Sequence, residues 1–304
     1  MQTSVHPKDT MITSSMSLKP ITTFSIVARD SSTGDFGIAV ASKFLAVGSA
    51  VSFAEATFGA IATQSYANTS YGPRTVAGLK AGLTLESIHQ SFAATDDNYD
   101  LRQYGLLDAK GNSITFTGKG CFPWAGGIAK ENLAIQGNIL AGPQVVNRML
   151  ETYESSSLTF PEKLLSALQA GDDAGGDKRG KQSAALLVVR KDGGYGGFDD
   201  RYIDLRVDDH TTPVPELSRL LRLYHLYFDK PEQENVISIK GEIAERLTNI
   251  LVKSGHLSKT QPWGEPSEKA LRDLAGIENV EERMLEPGLV DKVVLEHLEI
   301  LYRT

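Results

Sequence analysis

The sequence predicts an α+β protein with two parts: mostly antiparallel sheets covered by helix pairs, followed by a small, mainly helical C-terminal domain. Residues 21–30 and 36–43 are β-type runs around a Gly-containing turn, which is typical of a β-hairpin. The segments that follow do not alternate strictly between strand and helix, which argues against a parallel βαβ sheet. The length of 304 residues is enough for two domains.

The predicted elements follow in chain order. Residues 36–43 are apolar on both faces, which predicts a strand buried on both sides. Further strands are expected at 58–64, 102–108, 113–117, 132–138, 183–190 and 202–207. Helices are expected at 73–81, 143–153, 160–170, 215–228, 239–252, 266–274 and 288–301. A further helix is expected to begin after Thr84, which is a plausible N-cap. The predicted domains are a flexible N-terminal tail at 1–20, a main domain at 21–228 and a helical domain at 229–304.

Composition excludes several classes of partner. The net charge is −7, and residues 229–304 carry 10 Lys/Arg against 15 Asp/Glu, so we expect no nucleic-acid partner. No apolar run approaches the ~18–20 residues of a membrane span, so we expect no membrane partner. The single cysteine, Cys121, cannot form an internal disulfide or a multi-thiolate zinc site, which is consistent with a cytoplasmic protein.

Polar side chains cluster in the loops of the main domain. Gln64 and Asn68 follow one predicted strand, and Asn138 ends another. A Gly-rich segment at 175–183 precedes a strand, and it is either a simple turn or a place where backbone approaches a ligand. The acidic residues between 199 and 209 are either a solvated edge or metal ligands, and Cys121 is either a packed residue or a nucleophile. The chain has no P-loop, HExxH or GxSxG motif, so we expect no cofactor and no metal.

A series of ordered sequence blocks carries a family resemblance. TFSIVARD, GIAVASKF, ATQSYAN, YGPR, QGNILAGP, GGDKRGKQSAALLVVR and GGYGGFDDRYIDLRVDDH are similar to an uncharacterised family of the N-terminal-nucleophile (Ntn) hydrolase superfamily. The resemblance spans about residues 23–228 and implies a four-layer αββα sandwich. Its first hairpin also resembles that of proteasome β-subunits. In that comparison, Ser42 and Lys43 of this chain fall where proteasome-type enzymes keep a charged pair near the nucleophile, and Ser42 stands in place of the acidic residue of that pair.

The resemblance implies a chemistry at the start of the first strand. Thr23 would be the nucleophile of an amidohydrolase, with its own α-amine, of pKa about 8, as the base. The substrate would be a small amide, ureido or peptide-like molecule. The other candidates are Gln64, Asn68 or Asn138 for the oxyanion, Asp177 and Arg179 for orienting the amine and a substrate carboxylate, and Arg74, Arg179 and Ser183 for substrate binding.

Two alternatives stay open at the first strand. Family members usually begin Met-Thr-Phe-Ser, whereas here Thr22 and about twenty further residues precede Thr23, so that tail must be removed for the chemistry to work. Ser25 lies two residues further along the strand, on the same face, and the sequence does not rank it against Thr23. A non-catalytic ligand- or glycan-binding protein on an Ntn-like scaffold is therefore the alternative function.

Residues 270–283 and the helix after them resemble a peptidoglycan-binding-like domain covering about residues 229–304. This domain would bind a peptidoglycan fragment, or it would serve as a dimerisation or lid element. The apolar faces of its helices need a partner surface, which is either the main domain or a second copy of the chain in a homo-oligomer.

Overall fold

The computed structural model describes residues 20–303. The predicted tail at 1–20 therefore lies almost wholly outside the described residues. The chain forms two compact units, which divide between Leu217 and Ser218. The domain bounds derived from the sequence stay a prediction. Within the described chain, none of the helices is both long enough and apolar enough to cross a bilayer.

The described part of the first unit contains two antiparallel sheets. Their strands are β1 Thr23–Arg29, β2 Phe36–Ser42, β3 Ser52–Glu55, β4 Gly59–Ser65, β5 Arg102–Asp108, β6 Ser113–Thr117, β7 Gly126–Lys130, β8 Leu133–Gly137, β9 Ser183–Val189 and β10 Arg201–Val207. One sheet has the order β10-β9-β2-β1-β8-β7 and the other β3-β4-β5-β6. The predicted hairpin is confirmed, because β1 and β2 pair from Thr23–Ser42 to Arg29–Phe36.

The helices of the first unit are α1 Gly48–Val51, α2 Tyr71–Lys80, α3 Leu85–Thr95, α4 Gln144–Ser155, α5 Phe160–Asp173 and α6 Pro213–Phe228, the last of which continues into the second unit. Two pairs among them, α4 with α5 and α2 with α3, pack on these sheets. The helix α5 packs on β1 and β2, and α4 packs on β8. On the other sheet, α2 packs on β4 and α3 contacts β5 and β6. The predicted cap is present, since Thr84 Oγ1 accepts from Ser87 N at 3.2 Å.

A core lies between the two sheets. Val27, Ile38 and Val40 from one sheet meet Ala60 and Ala62 from the other, and all five are buried. The opposite face of β2 meets α5 so closely that a Cβ on Gly37 would lie 2.2 Å from Leu164 Cδ1. Every residue of β2 is buried, as its two apolar faces predicted.

The second unit is mainly helical. Its elements after α6 are β11 Val236–Ser238, α7 Glu242–Lys253, α8 Glu265–Ile277, β12 Leu289–Asp291 and α9 Lys292–Leu301, with β11 and β12 antiparallel. Leucine and isoleucine side chains from the helices form its core, including Leu247, Leu271 and Leu298. The coarse prediction of an α+β protein with antiparallel sheets and helices is thereby confirmed.

Candidate functional site

The start of β1 lies in the middle of the larger sheet. Thr23 pairs with Ser42 of β2, and both side chains are buried. The preceding residue, Thr22, is also buried. Ile21 bridges to Ser65 of the other sheet, with N···O distances of 2.6 and 2.9 Å. Ile21 and Thr22 therefore connect the end of the second sheet to the start of β1, and they cover Thr23.

Several polar groups hold Thr22 in place. Its Oγ1 donates to Asp177 Oδ2 at 3.0 Å. Its carbonyl oxygen accepts from Ser42 Oγ at 2.5 Å and from Arg179 Nη2 at 3.4 Å. The peptide group between Thr22 and Thr23 thus faces two donors, one of which is a cation.

Asp177 is the centre of this end of the site. Its side chain is 1% exposed and forms an ion pair with Arg179 at 2.7 Å. The same carboxylate accepts from Lys43 N at 3.0 Å. Buried carboxylates of this kind need such partners, because an unpaired charge is costly in a protein interior.

The Gly-rich segment positions Asp177. Gly175, Gly176 and Gly180 have φ values of +114°, +45° and +116°, which L side chains rarely adopt. A Cβ on Gly176 would also lie 3.1 Å from Phe24 Cε1. These glycines make the tight turns that bring the carboxylate to β1.

A cluster of side-chain amides lies beneath Thr23, between the two sheets. Gln64 Nε2 donates to Thr23 O at 3.2 Å and to Gln103 Oε1 at 2.8 Å. Asn138 N donates to Thr23 O at 3.0 Å, and Asn138 Nδ2 donates to Gln103 Oε1 at 2.8 Å. The structure therefore brings together three of the predicted residues, Thr23, Gln64 and Asn138.

Gln103 joins these amides and was not predicted. It accepts from both Gln64 and Asn138, and its Nε2 donates to Gly137 O at 2.7 Å. The register of β4 and β5 pairs Gln103 directly with Gln64. A glutamine within a predicted strand, at 102–108, is the signal that could have identified it, although the pairing with Gln64 is visible only in the structure.

The two candidate hydroxyls of β1 differ in their partners. Ser25 Oγ donates to Gln64 Oε1 at 2.7 Å and accepts from Gln136 Nε2 at 2.6 Å. Thr23 Oγ1 is buried and has no hydrogen-bond partner among the described residues. Ser25 is therefore part of the amide network through its hydroxyl, whereas the Thr23 hydroxyl is not.

Two predicted residues lie in a separate polar cluster around Asp96. Asn68 Nδ2 donates to Asp96 Oδ2 at 2.9 Å, and Arg102 forms an ion pair with the same carboxylate at 2.9 Å. Burial raises the pKa of Asp96, but hydrogen bonds from Arg102, Asn68 and Tyr71 outweigh it and hold that pKa well below its ordinary value. Arg74 donates from Nη2 to Thr95 Oγ1 at 2.8 Å. Neither Asn68 nor Arg74 contacts the cluster at Thr23.

Ser183 lies beside the site and fixes a neighbouring loop. It pairs with Ser42 across β9 and β2. Its hydroxyl accepts from Val47 N at 3.1 Å and donates to Phe44 O. Ser183 therefore holds the chain that follows Lys43, whose backbone reaches Asp177.

Cys121 is half-buried, and its Sγ lies 3.4 Å from Arg102 O. Burial raises the pKa of its thiol, which leaves little of the nucleophilic thiolate at neutral pH. These properties favour the packed residue over the nucleophile.

The fold and site define a class: an α+β protein with a buried, amide-rich polar site where the first strand of its larger sheet begins. The chain belongs to the family of unknown function DUF1028, whose sequence profile matches residues 23–217. A second profile, described as "putative peptidoglycan binding domain", matches residues 227–298. The structure is similar to a crystal structure of a DUF1028 protein from Silicibacter pomeroyi, with a TM-score of 0.60 and 29% identity over 73% of this chain and 92% of that one. No functionally curated protein matches the chain.

Proposed function

We propose that the first unit is an Ntn-type amidohydrolase that acts on a small amide, ureido or peptide-like substrate, with Thr23 as nucleophile. The observation that carries the proposal is the buried Thr23 hydroxyl, which has no hydrogen-bond partner among residues 20–303, while the carbonyl of the same residue is held by Gln64 and Asn138. An unpaired buried hydroxyl is costly. Other buried hydroxyls, including those of Thr75 and Thr115, also lack a partner within the described chain. Thr23 is singled out by its neighbours, since Thr22 binds Asp177 and the Thr23 carbonyl accepts from two amides.

The proposal includes a fold assignment. Helices α4 and α5 pack on the larger sheet, α2 and α3 pack on the smaller one, and the two sheets pack on each other. This layering supports the four-layer αββα sandwich of the Ntn superfamily. The lone cysteine, Cys121, supports a cytoplasmic location.

The chemistry requires that the Thr22–Thr23 peptide bond be hydrolysed. That step consumes one water and leaves a carboxylate on Thr22 and an amine on Thr23. The freed amine then lies beside Ser42, Asp177 and Arg179, the groups that now hold Thr22. Asp177 would orient the amine, and Arg179, whose side chain is 35% exposed, would bind a substrate carboxylate.

Each turnover has two steps, formation of an ester on Thr23 and its hydrolysis. The amine takes the proton of Thr23 Oγ1, the oxygen attacks the substrate carbonyl, and the leaving nitrogen departs with that proton. Water next attacks the resulting ester, which releases the acid and restores the Thr23 hydroxyl.

Asn138 is the better of the contacting amides for the oxyanion. The Nε2 group of Gln64 has two hydrogens, and both are engaged, by Thr23 O and Gln103 Oε1. Asn138 Nδ2 uses one hydrogen, on Gln103, and keeps the second. We therefore assign Asn138 to the oxyanion and Gln64 to holding the Thr23 backbone.

The test compares chains with different starts. The full chain and a chain beginning Met-Thr23 are purified, their intact masses are measured, and both are assayed on a panel of amino-acid and dipeptide p-nitroanilides. We expect turnover wherever the mass shows Thr23 as the first residue, retained activity in Thr23→Ser, and none in Thr23→Ala. Full activity of a Thr23→Ala chain with an intact N-terminus would refute the proposal.

A second candidate function is ligand binding without catalysis. The match of residues 227–298 to a peptidoglycan-binding profile favours it, and so does the covering of Thr23 by Thr22. The ligand would be a peptidoglycan fragment or another glycan, and a homo-oligomer would supply a partner surface for the second unit. A thermal-shift screen against amides, dipeptides and muropeptides distinguishes the two functions, since stabilisation without turnover supports binding alone.

A further inference from the structure

The second unit contains a cavity of about 320 Å³ between α7 and the loop that leads into α8. Most of the side chains that line it are polar, and one is a tryptophan. The lining residues are Ala244, Glu245, Thr248, Asn249, Thr260, Gln261, Pro262 and Trp263.

Charge-assisted hydrogen bonds fix the position of Trp263. Its Nε1 donates to Glu268 Oε1 at 2.6 Å, and the same oxygen accepts from Gly288 N at 2.8 Å. The indole is half-buried and packs against the core of the second unit. A ring held in this way loses little entropy when a ligand stacks on it.

The opposite wall of the cavity offers unused polar groups. Glu245 and Asn249 are exposed and lie one turn apart on the same face of α7. Among residues 20–303, neither side chain makes a hydrogen bond or ion pair, whereas the neighbouring Arg246 pairs with Glu299 at 2.6 Å. Polar side chains that line a cavity without an internal partner are available to a ligand.

The chemistry of these groups limits what the cavity can bind. The Glu245 carboxylate only accepts hydrogen bonds, so the ligand must present hydroxyl or amino hydrogens to it, and a ligand carboxylate would be repelled. Trp263 offers an apolar face, and Asn249 both donates and accepts.

We propose that this cavity binds a pyranose saccharide, with the apolar face of a sugar ring on Trp263 and hydroxyl or amino groups of that ring on Glu245 and Asn249. The inference rests on the second of the two proposed functions, ligand binding by the second unit, and names the site and the ligand class. It predicts that the unit binds the sugar strand of a glycan and not an acidic peptide attached to it.

The test measures binding of the full chain by calorimetry. The probes are chitohexaose, its fully deacetylated form, cellohexaose and an alanine-rich pentapeptide. We expect the deacetylated hexamer to bind most tightly, because its amines face Glu245. Glu245→Gln should weaken that binding by about 10-fold or more, as expected for a lost hydrogen bond to a charged group. The matched control is Glu242→Gln, which alters an exposed carboxylate on the same helix outside the cavity and should change the affinity less than about 2-fold.

Asn249→Ala and Trp263→Phe are the second pair of variants, and circular dichroism checks that both stay folded. Loss of saccharide binding in folded Asn249→Ala supports the proposal. Binding of the pentapeptide alone, or saccharide binding that Glu245→Gln and Asn249→Ala leave unchanged, overturns it. A parallel pull-down on insoluble peptidoglycan separates ligand binding by the second unit from the location of the site in this cavity. If peptidoglycan retains the chain and the cavity variants do not reduce that retention, the unit binds a ligand but this site is refuted. If the chain is not retained and binds no saccharide, both proposals are refuted.

Discussion

Gln103 is the residue on which the buried amide cluster depends most, and Gln103→Leu tests that dependence. Leucine has a similar size but offers no polar atom. The substitution removes the acceptor of Asn138 Nδ2, at 2.8 Å, and the donor to Gly137 O, at 2.7 Å. Gln64 keeps its second hydrogen bond, to Thr23 O. Each buried group that loses its partner costs about 1–3 kcal/mol, so the expected loss is about 2–6 kcal/mol.

That loss is large against a total stability of about 5–15 kcal/mol for a typical domain. The assay is urea denaturation followed by circular dichroism, and by fluorescence in a Trp263→Phe background, where Trp124 alone reports on the first unit. The matched control is Gln90→Leu, because Gln90 also makes a side-chain hydrogen bond, to Glu86 at 2.7 Å, but on an exposed helix face. The control should change stability by less than about 0.5 kcal/mol. Equal effects of the two substitutions would refute the view that burial makes the Gln103 contacts strong.

Two further predictions concern packing and pH. Gly59→Ala should destabilise the first unit by about 1–3 kcal/mol in the same assay, because the added Cβ would lie 2.2 Å from Leu107 O. The control is Gly276→Ala in α8, where the added Cβ would meet no atom within 4 Å, and it should stabilise the chain by about 0.5–1 kcal/mol. The lowered pKa of Asp96 means that its stabilising contribution is complete above about pH 5 and is lost as the pH falls below about 4. For the natural chain, the Asp96 contribution should therefore leave the urea midpoint unchanged between pH 7 and 5 and lower it between pH 5 and 3.5. Asp96→Asn should fall less over that lower interval, and it is already weaker at pH 7 because Arg102 has lost its buried partner.

Most strands of the first unit were predictable from the sequence, and those that were not predicted share a physical cause. Residues 102–108 and 113–117 form β5 and β6 as predicted, because two β-type runs flank a turn at residues 110–112. The strands β3 and β7 were missed. β3 has four residues and β7 is Gly-Gly-Ile-Ala-Lys, and both lie at sheet edges, where few side chains are buried. The short β11 and β12, three residues each, were missed for the same reason of length.

The candidate site was predictable only in part. Gln64 and Asn138 stand at strand ends, where the sequence placed them, and the sheets bring both to Thr23. Asn68 is only four residues beyond Gln64 but lies elsewhere, because Ser65 has a φ of +65° and the chain turns there toward Asp96. Contacts between strands distant in sequence decide such positions, and no local pattern encodes them.

Thr23 offers the sharpest separation of stability from function. Valine has the shape of threonine without the hydroxyl, and Thr23 Oγ1 is buried with no hydrogen-bond partner among the described residues. Thr23→Val should therefore stabilise the chain that retains Thr22 by about 1 kcal/mol, since an unpaired polar atom leaves the interior.

The neighbouring Thr22 is the matched control. It is equally buried, but its Oγ1 donates to Asp177 at 3.0 Å. Thr22→Val should destabilise by about 1–3 kcal/mol, because the lost hydrogen bond is to a charged group. Urea denaturation of the two variants checks the signs. If Thr23→Val destabilises as much as Thr22→Val does, the Thr23 hydroxyl contributes to the fold, and the reason for assigning it to chemistry disappears. If the signs are opposite, the chain retains at position 23 a group that its folded structure does not need. Natural proteins accept such a cost mainly at functional sites.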